Sequence, residues 1–168
     1  MKNFKIGVFD GKELWYSRSL AVTLFSFVKG KEGNVFILAN QRGKGTPYNQ
    51  GQWNCSCGYL DFDETAKEAA VRETFEETGV KVDKKLIKFI GFNSNPKDDE
   101  LQNVTFRYAV ILPKDISFYK KEFSKKNNEE DEVSNIKFIS LKDLDKYNWA
   151  FNHKTLIKKA WSNINEKG

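Results

Sequence analysis

An α/β domain is what this sequence predicts, and three observations predict it. Two runs rich in β-branched and aromatic residues flank a glycine-bearing turn, one helix is marked at both ends, and an amphipathic stripe closes the chain. Ser19 to Val28 (SLAVTLFSFV) and Asn34 to Asn40 (NVFILAN), joined by GKEG, read as an antiparallel hairpin. Arg42 to Gly51 (RGKGTPYNQG) is too irregular for a ladder and reads as a glycine-rich loop. The clearest helix runs from Ala66 to about Thr78. Thr65-Ala-Lys-Glu68 is a capping box at its start, and Gly79 suits the left-handed position after its end. Leu86 to Phe92 and Val104 to Leu112 read as two further strands joined by the polar loop NSNPKDDELQ, and Asn135 to Leu141 as another. The charge-dense KKEFSKKNNEEDEV before that last strand is expected to stay solvated. Lys142 to Tyr147 and Asn152 to Ile164 carry helical spacing, with Leu156, Ile157, Ala160, Trp161 and Ile164 on one stripe.

Composition bounds the rest. The chain has 168 residues, of which 39% are hydrophobic and 14% aromatic, enough for one core but not two, and no repeat or proline-rich linker divides it. A single domain over residues 1–168 is expected. The longest nearly apolar stretch, Leu20 to Val28, is far short of the roughly 20 residues that cross a bilayer. The N-terminal MKNFKIGVFDGKELW has no apolar leader core, so a cytoplasmic location is expected. Two cysteines, Cys55 and Cys57, with the lone His153, do not suffice for a zinc site. They read as ordinary thiols, and any metal should be held by oxygen. The 28 basic residues are almost all lysine, with arginine only at positions 18, 42, 72 and 107, which weakens a dedicated nucleic-acid module. Between Gly58 and Val80 seven acids face Lys67 and Arg72. That local balance of −5 leaves +10 on the remainder of a chain whose net charge is +5. An acidic cluster on a basic protein suits cations together with a polyanionic substrate.

On the helix, Glu76 and Glu77 fall about 60° and 40° to either side of Glu73, so three carboxylates share one arc. Ala66 and Ala69 lie on the same arc and leave room, while Val71, Thr74, Phe75 and Thr78 take the far side and should face the core. Clustered carboxylates repel unless a cation sits among them, and ligation by oxygen alone suits Mg²⁺ or Mn²⁺. Gly58, five residues, Glu64, seven residues, and Arg72-Glu73-Thr74-Phe75-Glu76-Glu77-Thr78-Gly79-Val80 resembles, position by position, the signature of the Nudix hydrolases. Thr74 stands in a slot that is aliphatic in that signature. Upstream, Trp53-Asn54-Cys55-Ser56-Cys57-Gly58 departs from the family's Trp-x-x-Pro-Gly-Gly, keeping only its last glycine. Downstream, Glu132 to Leu144 resembles the family's late strand and turn.

The resemblance implies an α/β/α sandwich around a mixed sheet, and hydrolysis of a diphosphate linkage in a nucleoside diphosphate derivative such as ADP-ribose, a nucleotide sugar or a (d)NTP. It implies that Glu73, Glu76 and Glu77, with the Gly58 carbonyl, hold Mg²⁺ or Mn²⁺, and that Glu64 and Arg72 support them. The general base is implied to be Glu77 or a loop acid. Glu132 is the preferred loop acid among Glu129, Glu130, Asp131 and Glu132, with Asp98 to Glu100 the second choice, although loop carboxylates are ordinarily solvated. Arg42 and Lys44 in the glycine-rich loop and Arg18 before the first strand are candidate contacts for substrate phosphates. The segment Trp149 to Ile157 resembles one found in family members acting on ADP-ribose-like compounds, although a lone histidine such as His153 at a helix start is ordinarily a cap or packing group. Three other readings stay open: a catalytically silent nucleotide sensor of the same fold, a prenyl diphosphate isomerase using one of the cysteines, and an RNA 5′-end pyrophosphohydrolase. The expected partner is a small-molecule nucleotide, with no membrane and no nucleic acid apart from RNA 5′ ends, and a homodimer is compatible with the sequence.

Overall fold

The computed structural model describes residues 2–98, 101–124 and 131–166. Its main sheet is built on β3 (Leu20–Lys29), whose central eight residues are all buried. The hairpin partner β4 (Val35–Arg42) pairs with β3 only beside the turn, from Phe27↔Ile37 to Lys29↔Val35. Beyond that the two strands part. The short strands β5 (Trp53–Asn54) and β6 (Ser56–Tyr59) fill the opening, β5 pairing with the end of β4 and β6 with the start of β3. On the other side of β3, β8 (Val104–Ile111) runs parallel to it and β7 (Lys88–Asn93) antiparallel to β8, while β9 (Val133–Ser140) pairs with the outer edge of β4. The mixed sheet is therefore as expected.

Helix α1 (Ala66–Thr78) covers one face of this sheet and α3 (His153–Asn165) the other. Alternation along β3 and β8 divides the core between them. Val22, Leu24, Tyr108 and Val110 pack with Ala69 and Ala70 of α1, while Phe25, Phe27 and Ala109 pack with Ile157, Ala160 and Ile164 of α3. The two faces and the sheet make the α/β/α sandwich. Ala69 is fully buried against the sheet, so its small side chain serves close helix-to-sheet packing rather than open space before the glutamates. Thr74 and Thr78, also fully buried, answer their own polarity by donating to the carbonyls four residues back, at 2.8 and 2.6 Å. This local bond is why a threonine is tolerated in the aliphatic slot.

Two segments differ from the expectation. Residues 2–18 contain a separate hairpin, β1 (Phe4–Phe9) and β2 (Lys12–Tyr16), turning at Asp10-Gly11 with both φ angles positive. Its sequence signal is that Asp-Gly pair. The charge-dense connection is not uniformly solvated. A short helix α2 (Ile116–Lys120), capped by Asp115, leads to Phe123, which stacks on Phe138 at 5.6 Å and packs on the core. Glu129 and Glu130, like Asp99 and Glu100, lie outside the described residues.

The capping box of α1 is formed in both directions, and its C-cap Gly79 has φ +77°. A Cβ there would run into the Glu122 carbonyl oxygen as well as the left-handed region. Gly79→Ala is expected to cost about 1–3 kcal/mol in urea unfolding, and an unchanged midpoint would contradict this role.

Candidate active site

The site lies where β3 and β4 diverge. Gly58 of β6 passes beneath the Glu73 side chain so closely that any Cβ at position 58 would occupy the carboxylate's place. Only glycine lets that carboxylate lie over the strand. Arg72 then gathers the acids. Its Nη1 donates to Glu73 Oε1 at 2.9 Å and to Glu76 Oε2 at 2.8 Å, Nε and Nη2 to the two oxygens of Glu64 at 3.1 and 2.7 Å, and Nη2 also to the Tyr59 carbonyl at 3.0 Å. The bond to Glu64 foremost raises the Arg72 pKa and lowers that of Glu64, so both stay charged. Glu64 also accepts from the Asp61 N–H at 2.8 Å, which ties the loop before α1 to the same guanidinium.

The three glutamates share an arc but not one environment. Glu76 is the most exposed. Glu73 is mostly buried, and desolvation pushes its pKa up to about 7 against the pull of Arg72. Glu77 is turned into the sheet, where Asn40 Nδ2 donates to its Oε2 at 2.8 Å and the Ser56 hydroxyl and Cys57 N–H donate as well. Its burial, and secondarily Glu73, still drive its pKa well upward. Among the described residues, no three carboxylate, histidine or cysteine side chains stand together as a ready-made metal cage. The donors nevertheless fit a hard divalent cation. They are all oxygens, Arg72 engages only one oxygen of Glu73 and one of Glu76, and the Gly58 cradle holds the Glu73 carboxylate with its second oxygen off the guanidinium.

The other expected residues separate. Glu132 comes to the site: the Gly43 N–H donates to its carbonyl at 2.6 Å, and its charge is felt at Glu73. Arg42, at the end of β4, donates from Nε to the Tyr48 carbonyl at 2.9 Å and places its guanidinium over the Phe151 ring at 4.9 Å. Lys44 is exposed on the same loop, where its carbonyl accepts from Gln50. Arg18 does something else. Its Nε, Nη1 and Nη2 donate to the carbonyls of Gln102, Ser94 and Asn103, so it straps the β7–β8 loop and does not point at the glutamates. Asp98 accepts from Asn95 Nδ2 at 2.8 Å within that loop.

Residues 18–160 match the family model of the NUDIX domain. The chain belongs to the Nudix family. A stretch of 72 residues is 36% identical to the RNA pyrophosphohydrolase of Gluconacetobacter diazotrophicus, covering 42% of this chain and 41% of that protein, less than half its length. The NUDIX domain of Shewanella oneidensis NrtR, solved with ADP ribose, superposes with a TM-score of 0.69 at 22% identity, over 89% of this chain and 90% of that one. A bifunctional NMN adenylyltransferase/ADP ribose pyrophosphatase from Francisella tularensis, solved with AMP and a Mn ion, gives a TM-score of 0.58 at 19% identity, over 90% of this chain and 42% of that one. At these identities the two structures share the fold.

In this Nudix chain the segment 148–150 zips onto β5, with Trp53 N donating to the Asn148 carbonyl at 2.8 Å and Ala150 N to the Trp53 carbonyl at 2.9 Å. That registers His153 over the sheet. The ring is 3% exposed, its Nδ1 accepts from the Cys55 N–H at 3.0 Å, and it packs edge-on to Phe25. Both cysteines are free thiols kept protonated by burial, Cys57 with its pKa pushed up to about 12. A thiolate nucleophile, which the isomerase reading needs, is disfavoured there. Burial, then Arg107 and Arg42, push the His153 pKa down to about 3 from an ordinary 6.5. Below 6.5 the unfolded chain takes up this proton while the folded chain stays neutral down to about 3, so this contribution to stability is lost as pH falls through that window. Going from pH 7 to pH 5 is expected to cost the parent on the order of 1–2 kcal/mol more than His153→Gln, which can still accept from Cys55. Equal losses in urea titrations of the two proteins would contradict neutral burial.

Proposed function

We propose that this protein is a metal-dependent pyrophosphohydrolase that cleaves the diphosphate linkage of a nucleoside diphosphate derivative, with ADP-ribose, nucleotide sugars and (d)NTPs as the candidate class. The observation that carries the reading is the Gly58 cradle, which presents the Glu73 carboxylate beside an arginine that already spaces Glu76 from it. Glu73, Glu76 and Glu77, with the Gly58 carbonyl, are the groups that would hold Mg²⁺ or Mn²⁺. When bound, such an ion neutralises diphosphate oxygens and lowers the pKa of a water molecule. The chain's own residues do the rest. Arg72 keeps Glu73 and Glu76 in fixed rotamers through one nitrogen and anchors itself on Glu64. Glu77 would have to release its bonds to Asn40, Ser56 and Cys57 to act as a ligand. Glu132, whose charge acts on Glu73, is the loop carboxylate that would accept a proton from the attacking water. Arg42 at the end of β4 and Lys44 just after it are the candidate donors of positive charge to phosphate oxygens.

A second reading, removal of diphosphate from RNA 5′ ends, is supported by the 36% identical stretch shared with an RNA pyrophosphohydrolase. A panel of ADP-ribose, nucleotide sugars, (d)NTPs and 5′-triphosphorylated RNA with Mg²⁺, run in ¹⁸O-labelled water, separates the two readings by product and locates the attacked phosphorus. Ligand binding with no turnover of any substrate would instead indicate a sensor. Glu76→Gln is expected to lower kcat at least 100-fold with the fold intact, and near-normal turnover would remove it from the ligand set. Arg72→Ala is expected to weaken Mg²⁺ affinity roughly 10- to 100-fold, measured by metal titration of activity, and an unchanged affinity would count against its supporting role.

A further inference from the structure

Arg107, on β8, has no side-chain partner for its Nε among the described residues. It sits on the α3 face of the sheet, in register with Thr23 on β3, which is itself in register with Cys57 on β6, so it lies two strand spacings, about 10 Å, from the strand bearing Gly58. The side chain is half-buried and its Nε is fully buried without an acceptor, and among the described residues the guanidinium makes no hydrogen bond or ion pair. Asp98 is the carboxylate whose field reaches it, and Asp98 accepts from Asn95 instead. Leaving a buried cationic donor unanswered ordinarily destabilises a fold, so a packed sheet seldom keeps one without use.

The surroundings are cationic, with room beside the strand. Directly across the ladder, β7 bulges at Gly91, where even a Cβ would meet nothing within 4 Å. His153, neutral and buried, feels both Arg107 and Arg42, and the Phe151 ring lies 5.6 Å from His153 and beneath the Arg42 guanidinium. Arg107 thus shares the α3 face of the sheet with His153, which packs edge-on to Phe25 there, opposite the face that Ala69 and Ala70 of α1 cover.

We propose that Arg107 is a substrate-binding residue that sets specificity, its planar fork donating to a pair of acceptor atoms on the part of the substrate remote from the scissile diphosphate. Arginine suits this task because its donors are fixed in one plane and match paired acceptors, whether two phosphate oxygens or the acceptor edge of a base. The proposal rests on the nucleotide reading of the site given above, and deepens it by placing recognition on the α3 face.

The test is equilibrium binding without divalent metal, using ADP, GDP, UDP and inorganic tripolyphosphate as probes. It compares the parent with Arg107→Gln and Arg107→Lys, each checked by circular dichroism and melting temperature. Arg107→Gln is expected to weaken the tightest probe about 10-fold or more. If the contact is a phosphate, tripolyphosphate weakens as much as the nucleotides and Arg107→Lys recovers most of the loss. If it is a base edge, tripolyphosphate is unchanged, Arg107→Lys recovers little and the spread among the three nucleotides narrows. Should Arg107→Gln fail to fold, Arg107→Met and Arg107→Lys carry the same comparison. Affinities for all four probes within about twofold of the parent, or a parent that binds none of them, would overturn the proposal. A parent that binds but hydrolyses nothing sinks the hydrolase reading and leaves Arg107 standing, whereas a hydrolase whose KM and affinities ignore Arg107→Gln sinks only this inference.

Discussion

The front of α1 depends on one cation placed among acids. Without Arg72, Glu64, Glu73 and Glu76 would be like charges crowded on a helix surface and its preceding loop, and each would turn outward to water. With it, three carboxylates and the Tyr59 carbonyl converge on a single planar group. The planarity matters. One edge of the fork faces Glu64 and the other bridges Glu73 and Glu76, a division that a lysine's single ammonium cannot reproduce. The same guanidinium therefore fixes the loop, the helix and the strand bearing Gly58 relative to one another.

Behind that surface the sheet supplies a different kind of control. Because β3 and β4 separate after a few paired residues, Asn40 is left facing the gap that β5 and β6 enter, and its amide meets Glu77 with Ser56 and the Cys57 N–H. A carboxylate this buried is tolerable only with donors on it. The site is thus two-layered, with Glu73 and Glu76 at the outside on an arginine and Glu77 inside on neutral donors.

Much of this was legible in the residues. The Thr65/Glu68 box and Gly79 delimit α1, because caps are local chemistry, and the glycine and glutamate spacing marks Gly58, Arg72 and the three glutamates. What was not legible is long-range. The helical arc puts Glu77 beside Glu73, but only the divergence of β3 and β4 decides that it faces Asn40. Arg18 reads as a free cation until the carbonyls of Ser94, Gln102 and Asn103 take its donors. Ala69 reads as an opening until the sheet fills it. Arg107 carries no signal in its own strand, since the lack of an acceptor for its Nε among the described residues belongs to the assembled sheet. The early hairpin was missed although Asp10-Gly11 signals it, because its exposed residues on both faces blur the alternation that marks a half-buried strand.

The parallel pairing at the centre of the sheet joins positions 84 residues apart, from Leu20↔Val104 to Phe27↔Ile111. Closing so long a loop delays the native core until late in folding, since the entropy of closure must be met before these contacts form. During synthesis the most apolar strand of the chain leaves the ribosome many seconds before β8 is made, at roughly 5–20 residues per second. For that interval β3 has β4, the β6 segment and α1 to shield it, but not its parallel neighbour. The elements made first therefore do what β8 later completes, and keep that strand from pairing with a neighbour.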